Sequence, residues 1–160
     1  MIFKKSTYNL ILASIFAFLL SACAQQAAKI DSQIQGDVYT GTDTVEYLAD
    51  GVPDRVFFAT NESVLTTASR DTLRKQAAWL RKNSDINVVL EGHADERGTR
   101  EYNLALGERR ANAAKDYLMT YGISENRISV ISYGKERPVD SGSNPLSWST
   151  HRRSVTVKAN

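Results

Sequence analysis

Thirty-eight consecutive residues, Asp85 to Gly122, constrain this chain most. They read "DINVVLEGHADERG" followed by "TREYNLALGERRANAAKDYLMTYG". The first apolar run is a strand by its β-branched content. Val88 and Leu90 share one face, but Ile86, Val89 and Glu91 break strict alternation, a pattern that suits a strand covered on both sides. The second run has helical period, with Leu104, Gly107, Ala111, Ala114 and Leu118 on one stripe. Small residues at 107, 111 and 114 allow the helix to approach a sheet closely, and Gly122 is a natural terminator. Between strand and helix stands a charged turn, His93 to Arg97, fenced by Gly92 and Gly98. A strand, a tight turn and a long helix in this order call for a layered fold of helices on a sheet.

The flanking sequence supplies the other layers. "DRVFFA" is a strand, and "LTTASRDTLRKQAAWLRKN" is a helix with Leu65, Ser69, Leu73, Ala77 and Leu80 on one face. "RISVISYG" is a strand. "NPLSWSTHRR" is a short helix with Asn144 as cap and Pro145 in its first turn. "SVTVKA" is a last, cleanly alternating strand. The order from residue 52 to 160 is therefore β-α-β-α-β-α-β.

The N-terminus has a different character. Lys4 and Lys5 precede the apolar stretch "LILASIFAFLL", which is too short to span a bilayer comfortably and reads as an export signal over residues 1–22. It ends in "LSAC", whose Cys23 is the only cysteine, so no intrachain disulfide forms. "LSAC" resembles a bacterial lipobox. That resemblance implies cleavage before Cys23, diacylglycerol on its sulfur and an acyl chain on its amine, a combination that anchors stably. Ala24, where an Asp tends to retain lipoproteins on the inner membrane, implies the outer one. Residues 23–51 read as the lipidated N-terminus and a flexible tether. Residues 24–51 span roughly 30 Å as a coil and roughly 90–100 Å when extended. Within the tether "TVEYL" alternates weakly and adds at most a short edge strand.

Charge narrows the function. The formal balance is +2, but both excess lysines lie in the signal, leaving 18 basic and 18 acidic side chains after it. A zero balance argues against nucleic-acid binding, which needs an excess of Lys and Arg. His93, Asp95 and Glu96 on one turn, with only the distant His151 besides, make a poor metal set. No nucleophile motif for catalysis is present. His93 reads as a packed strand-end histidine, Trp79 and Trp148 as helix-packing residues, and Lys135 to Pro138 as a solvated turn.

"VFFATNESVL", "EGHADERGTREYNLALGERRANAAKDYL", "ISVISYGKERP" and "HRRSVTV" together resemble the OmpA-like peptidoglycan-binding domain, over about residues 54–158. The resemblance implies an α+β fold, with helices packed on a four-stranded mixed sheet. It implies noncovalent binding of the peptidoglycan stem peptide through its diaminopimelate, with Asp95 and Arg110 as the binding pair. A carboxylate suits the ligand's distal ammonium, and a guanidinium fork suits its distal carboxylate. Asp95 is expected in a surface turn and Arg110 on a helix face outside the Leu104–Ala111–Leu118 stripe, so that replacing either leaves stability nearly unchanged. By the same mapping Thr60, Asn61 and Leu106 line the site. Ala59 stands where the family frequently has an Asp. With the lipobox and tether, the resemblance further implies a TolB-like periplasmic partner, a link to cell division, and no cofactor beyond the acyl chains on Cys23. The rival reading is a peptidoglycan-acting amidase-like enzyme.

Overall fold

The structure, a computed structural model, describes residues 38–39 and 46–159. Cys23 and most of the expected tether lie outside the described residues. In chain order the elements are β1 (Tyr47–Ala49), β2 (Val52–Pro53), β3 (Arg55–Phe57), α1 (Thr67–Lys82), β4 (Val88–His93), α2 (Arg100–Thr120), a 3-10 turn (Glu125–Arg127), β5 (Ile128–Gly134), α3 (Pro145–His151) and β6 (Arg153–Lys158). The seven elements expected after residue 52 are all present. β3 to β6 form one mixed sheet in the order β3-β6-β4-β5. β6 is antiparallel to both its neighbours, β3 and β4, and β4 runs parallel to β5. A parallel pair needs a crossover, which α2 provides.

The ends of the helices follow local chemistry. Thr66 caps α1 by accepting from the Ser69 N–H at 3.1 Å, and Thr99 caps α2 by accepting from the Tyr102 N–H at 3.2 Å. Gly122 takes a left-handed φ of +82°. Its N–H donates to the Met119 carbonyl and that of Ile123 to the Leu118 carbonyl, the two bonds of a Schellman motif. Asn144 caps α3, with Pro145 in its first turn as expected.

Leu73, Ala77 and Leu80 of α1 and Ala111, Ala114 and Leu118 of α2 meet Val56, Val88, Leu90 and Ile128 of the sheet in one apolar core. The helix stripe needs one correction. Leu104 is only partly buried, and the first half of α2 instead buries Asn103, Leu106, Gly107 and Arg110. Gly107 presses on β4 so closely that a Cβ on Gly92 would stand 1.8 Å from the Gly107 carbonyl oxygen.

Two further expectations are revised. β4 is not fully covered on both sides. Ile131 and Val157, which pair with Glu91 and Val89 on the second face, remain 40% and 39% exposed. That face carries Val89 and Glu91, both partly buried, and the buried Arg153. Its cover is partial and comes from the β1–β2 hairpin, whose Leu48 is buried. The weakly alternating "TVEYL" contributes β1, within the stretch expected as tether. It pairs with β2 in a separate two-stranded ribbon and not on the edge of the main sheet.

Candidate functional site at the carboxyl end of β4

β4 ends at His93, and the chain turns through Ala94 to Gly98 before Thr99 opens α2. Gly98 has a φ of +91°, a conformation that glycine adopts without strain. Asp95 is 7% exposed. Its carboxylate accepts from the Arg97 backbone N–H at 3.1 Å and from Arg97 Nε and Nη2 at 3.0 and 2.6 Å. Arg152 Nη1 stands 3.5 Å from the same carboxylate. Burial alone would raise the Asp95 pKa. The Arg97 hydrogen bonds, with the charges of Arg97 and Arg152, outweigh it and hold the group below the ordinary carboxylate value. Asp95 is therefore ionised at neutral pH.

Arg110 is completely buried. Its Nε donates to the Glu62 carbonyl at 2.8 Å, Nη1 to the His93 carbonyl at 2.8 Å and Nη2 to the Ala59 carbonyl at 2.9 Å. The guanidinium also lies 5.4 Å from the Phe58 ring centroid. Burial, then the nearby Arg152 charge, lower its pKa to about 10, which leaves it protonated at neutral pH. The expectations that Asp95 lies at the surface and that Arg110 lies off the buried stripe are thus both overturned. Beneath this part of α2 the carbonyls of Ala59, Glu62 and the last residue of β4 converge, and one long cationic side chain donates to all three. Two of the five guanidinium N–H groups remain beyond those three bonds.

Asp95 and Arg110 do converge on this end of β4, since Arg110 binds the carbonyl two residues before Asp95. Their partners differ, however, with Asp95 held by Arg97 and Arg152. The loop pinned by Arg110 carries Thr60 and Asn61, and Asn61 adopts a φ of +58° that asparagine tolerates. Arg97 Nη2 reaches Thr60 Oγ1 at 3.3 Å. Thr60, Asn61, Arg97, Gly98 and Tyr102 line a cleft of about 260 Å³. Leu106 is 3% exposed and lies outside that lining.

Sequence reasoning missed Arg97, Arg152 and Tyr102. Arg97 was in view, inside the charged turn. Arg152 is 57 positions from Asp95, and no local pattern links them. Two of the bland readings also change. Trp148 is at the site's rim, with the Arg97 guanidinium 4.3 Å from its ring centroid and its Nε1–H donating to Glu96 at 2.9 Å. Lys135, in the supposed solvated turn, donates to the Gly98 and Glu96 carbonyls at 2.8 and 3.2 Å. His93 is buried as expected, against Tyr133. Among the described residues no three His, Cys, Asp or Glu side chains gather as a metal site. A larger cavity, about 570 Å³, lies on the second face of the sheet between hairpin and strands, and contains none of the turn residues.

Comparison with known proteins gives a consistent result. The family model described as "OmpA family" matches residues 57–152. A peptidoglycan-associated lipoprotein of Mesorhizobium japonicum is 42% identical over 155 residues, 94% of this chain and 92% of that protein. Another, of Brucella melitensis, is 51% identical over 106 residues, 66% of this chain and 63% of that protein. The crystal structure of the peptidoglycan-associated lipoprotein from Burkholderia pseudomallei superposes with a TM-score of 0.65 at 33% identity, covering 66% of this chain and 90% of that one. The carboxyl-terminal domain of Helicobacter pylori MotB shares the fold at 17% identity, with a TM-score of 0.62 over 67% of this chain and 84% of that one.

Proposed function

The chain belongs to the OmpA family, and on that premise we propose that it is an outer-membrane lipoprotein that holds peptidoglycan noncovalently through the diaminopimelate of the stem peptide. The relatives' names support the association with peptidoglycan and the lipid anchor. The observation that carries the ligand assignment is the buried carboxylate of Asp95 set against arginines at the cleft of Thr60, Asn61, Arg97, Gly98 and Tyr102.

The chemistry is an exchange of partners. The distal carbon of diaminopimelate bears an ammonium and a carboxylate. The ammonium takes a place on Asp95, and Arg97 turns its fork to the ligand carboxylate. Arg110, beneath the loop, has two further N–H donors for that carboxylate. One ion pair becomes two, so no buried charge is left uncompensated, which would otherwise be costly. Tyr102 gives the cleft an apolar wall. No catalytic step is assigned to any residue. The anchor on Cys23, the outer-membrane address, a TolB-like partner and a link to cell division rest on the lipobox and the family resemblance.

The test is calorimetric titration with three stem peptides, carrying diaminopimelate, lysine or amidated diaminopimelate. The first should bind at least tenfold more tightly than the other two, which lack the distal negative charge. Asp95→Ala should abolish co-sedimentation with sacculi. Equal affinity for all three peptides would refute the carboxylate assignment, and release of soluble fragments from sacculi would refute a pure binding role.

A further inference from the structure

A second cavity of about 260 Å³ opens one residue back along the same turn, lined by Glu96, Lys135, Asp140, Ser141, Gly142 and His151 among others. Most of its polar groups already have partners. Glu96 accepts from the Ser143 hydroxyl and from Trp148 Nε1–H. Asp140 accepts from the Gly142 N–H at 2.6 Å, and Lys135 donates to two carbonyls of the turn.

His151 is the exception. It is 3% exposed, and its Nε2 has no hydrogen-bond partner among the described residues. The Asp140 carboxylate stands 3.8 Å away, beyond hydrogen-bond range. Burial lowers the imidazole's pKa and favours its neutral form, and with the proton on Nδ1 the ring presents the Nε2 lone pair as an acceptor. A buried acceptor without a donor is unfavourable, and here it borders a cavity with room for one.

We propose that this cavity is a second subsite of the peptidoglycan site, in which His151 Nε2 accepts a backbone amide N–H of the stem peptide. The proposal rests on the peptidoglycan reading above. Three features choose the ligand class. The vacant group is a single neutral acceptor, which matches one neutral N–H. A cationic ligand would meet Lys135 in the same wall, and the two carboxylates that would welcome it are already engaged. The cavity is also smaller than the roughly 300–1,000 Å³ of pockets for whole small ligands, so it fits a fragment of something held elsewhere. Glu96 lines this cavity and Arg97 lines the cleft. Successive Cα atoms are about 3.8 Å apart, so the peptide bond adjoining a diaminopimelate in the cleft is within reach, whereas the glycan is two residues further away.

The experiment uses the full chain purified in detergent, titrated with free meso-diaminopimelate and with the tripeptide L-Ala-γ-D-Glu-diaminopimelate. His151→Leu should weaken tripeptide binding about tenfold and leave free diaminopimelate unchanged. His151→Gln, which keeps an acceptor at similar reach, should restore most of the loss. Unchanged tripeptide affinity in His151→Leu would overturn the proposal and leave the cavity to water. Equal losses for both ligands would overturn it too, as a structural effect. A depsipeptide with ester oxygen in place of the N–H joining diaminopimelate to its predecessor tests the wild type directly, even where the Leu variant fails to fold. It should also bind about tenfold more weakly, and affinity equal to the amide would overturn the proposal. Failure of wild type to bind either ligand would instead refute the peptidoglycan reading, and this subsite with it.

Discussion

The two buried regions of this domain are held in opposite ways. Between the helices and the sheet, Leu73, Leu80, Leu90, Leu118 and their neighbours form an apolar core with no polar obligations. At the carboxyl end of β4 lies a second interior of Arg110, Arg152, His93, Asn103 and Asp95, each at most 7% exposed. The first gains from many weak, non-directional contacts, so one can be exchanged for another. The second depends on a few directed bonds to carbonyls and carboxylates, and each lost partner leaves a buried group unsatisfied. The difference teaches where this fold tolerates change. Volume matters in the core, whereas atom-by-atom identity matters under the site.

The largest expected effect falls where the two regions touch. Gly92→Ala drives a Cβ to 1.8 Å from the Gly107 carbonyl oxygen, backbone against backbone. The protein should lose more than about 4 kcal/mol, and chemical denaturation should show little or no folded baseline. A normal unfolding transition would mean that α2 can lift off the sheet.

Next come the two interiors compared directly. Arg110→Met preserves much of the side-chain length but removes the donors to the carbonyls of Ala59, Glu62 and His93, of which Ala59 keeps only the Glu62 N–H. It should cost about 3–5 kcal/mol by denaturant melts, since each buried acceptor left short of a donor costs about 1–3 kcal/mol. Arg110→Lys should rescue little, because one ammonium cannot reproduce a planar fork aimed at three carbonyls. Leu118→Ala should cost about 2–5 kcal/mol as a cavity, but Leu118→Met under about 1.5 kcal/mol. Tolerance of Arg110→Lys to the same degree as Leu118→Met would erase the distinction between the regions.

The polar interior should also respond to acid where the apolar one cannot. Burial lowers the His93 pKa to about 3, helped by the charges of Arg153, Arg137 and Arg55. Glu91 Oε2 lies 3.6 Å away and does not reverse this. The folded state thus holds His93 neutral, while the unfolded chain takes up its proton near pH 6.5. Stability from this residue is complete above about pH 6.5 and falls as the pH drops toward about 3, at up to about 1.4 kcal/mol per pH unit. His93→Gln should flatten that part of a stability–pH profile. Asp95 is depressed instead, so its contribution is present above about pH 4 and is lost at lower pH, as its folded-state pKa is crossed. The smallest effect is local. Thr66→Ala removes the α1 cap and should cost about 1 kcal/mol.

Much of this was legible in the sequence because it depends on near neighbours. The period of α1, the Gly122 terminator, the Asn144–Pro145 start of α3 and the close approach of α2 to the sheet at Gly107 all follow from residues a few positions apart or from size alone. The family, and the turn that carries the site, were legible for the same reason: "GHADERG" and "GERRA" are contiguous strings. The partial cover on the second face of β4 was not legible, since the β1–β2 hairpin that supplies it begins in the stretch read as tether.

Sequence by itself, then, determined the elements, their caps and the charged turn between β4 and α2. Only the tertiary structure decided which groups the arginines serve. Because β6 inserts between β3 and β4, it brings Arg152 beside the Phe58 carbonyl and the Asp95 carboxylate, 94 and 57 positions away in sequence. Because α2 lies on Gly92, Arg110 enters the interior and meets the Ala59 and Glu62 carbonyls of a loop some fifty residues earlier. Periodicity and capping act over a turn or two of chain. A guanidinium selects its acceptors by distance in space, and the order of strands in the sheet sets that distance.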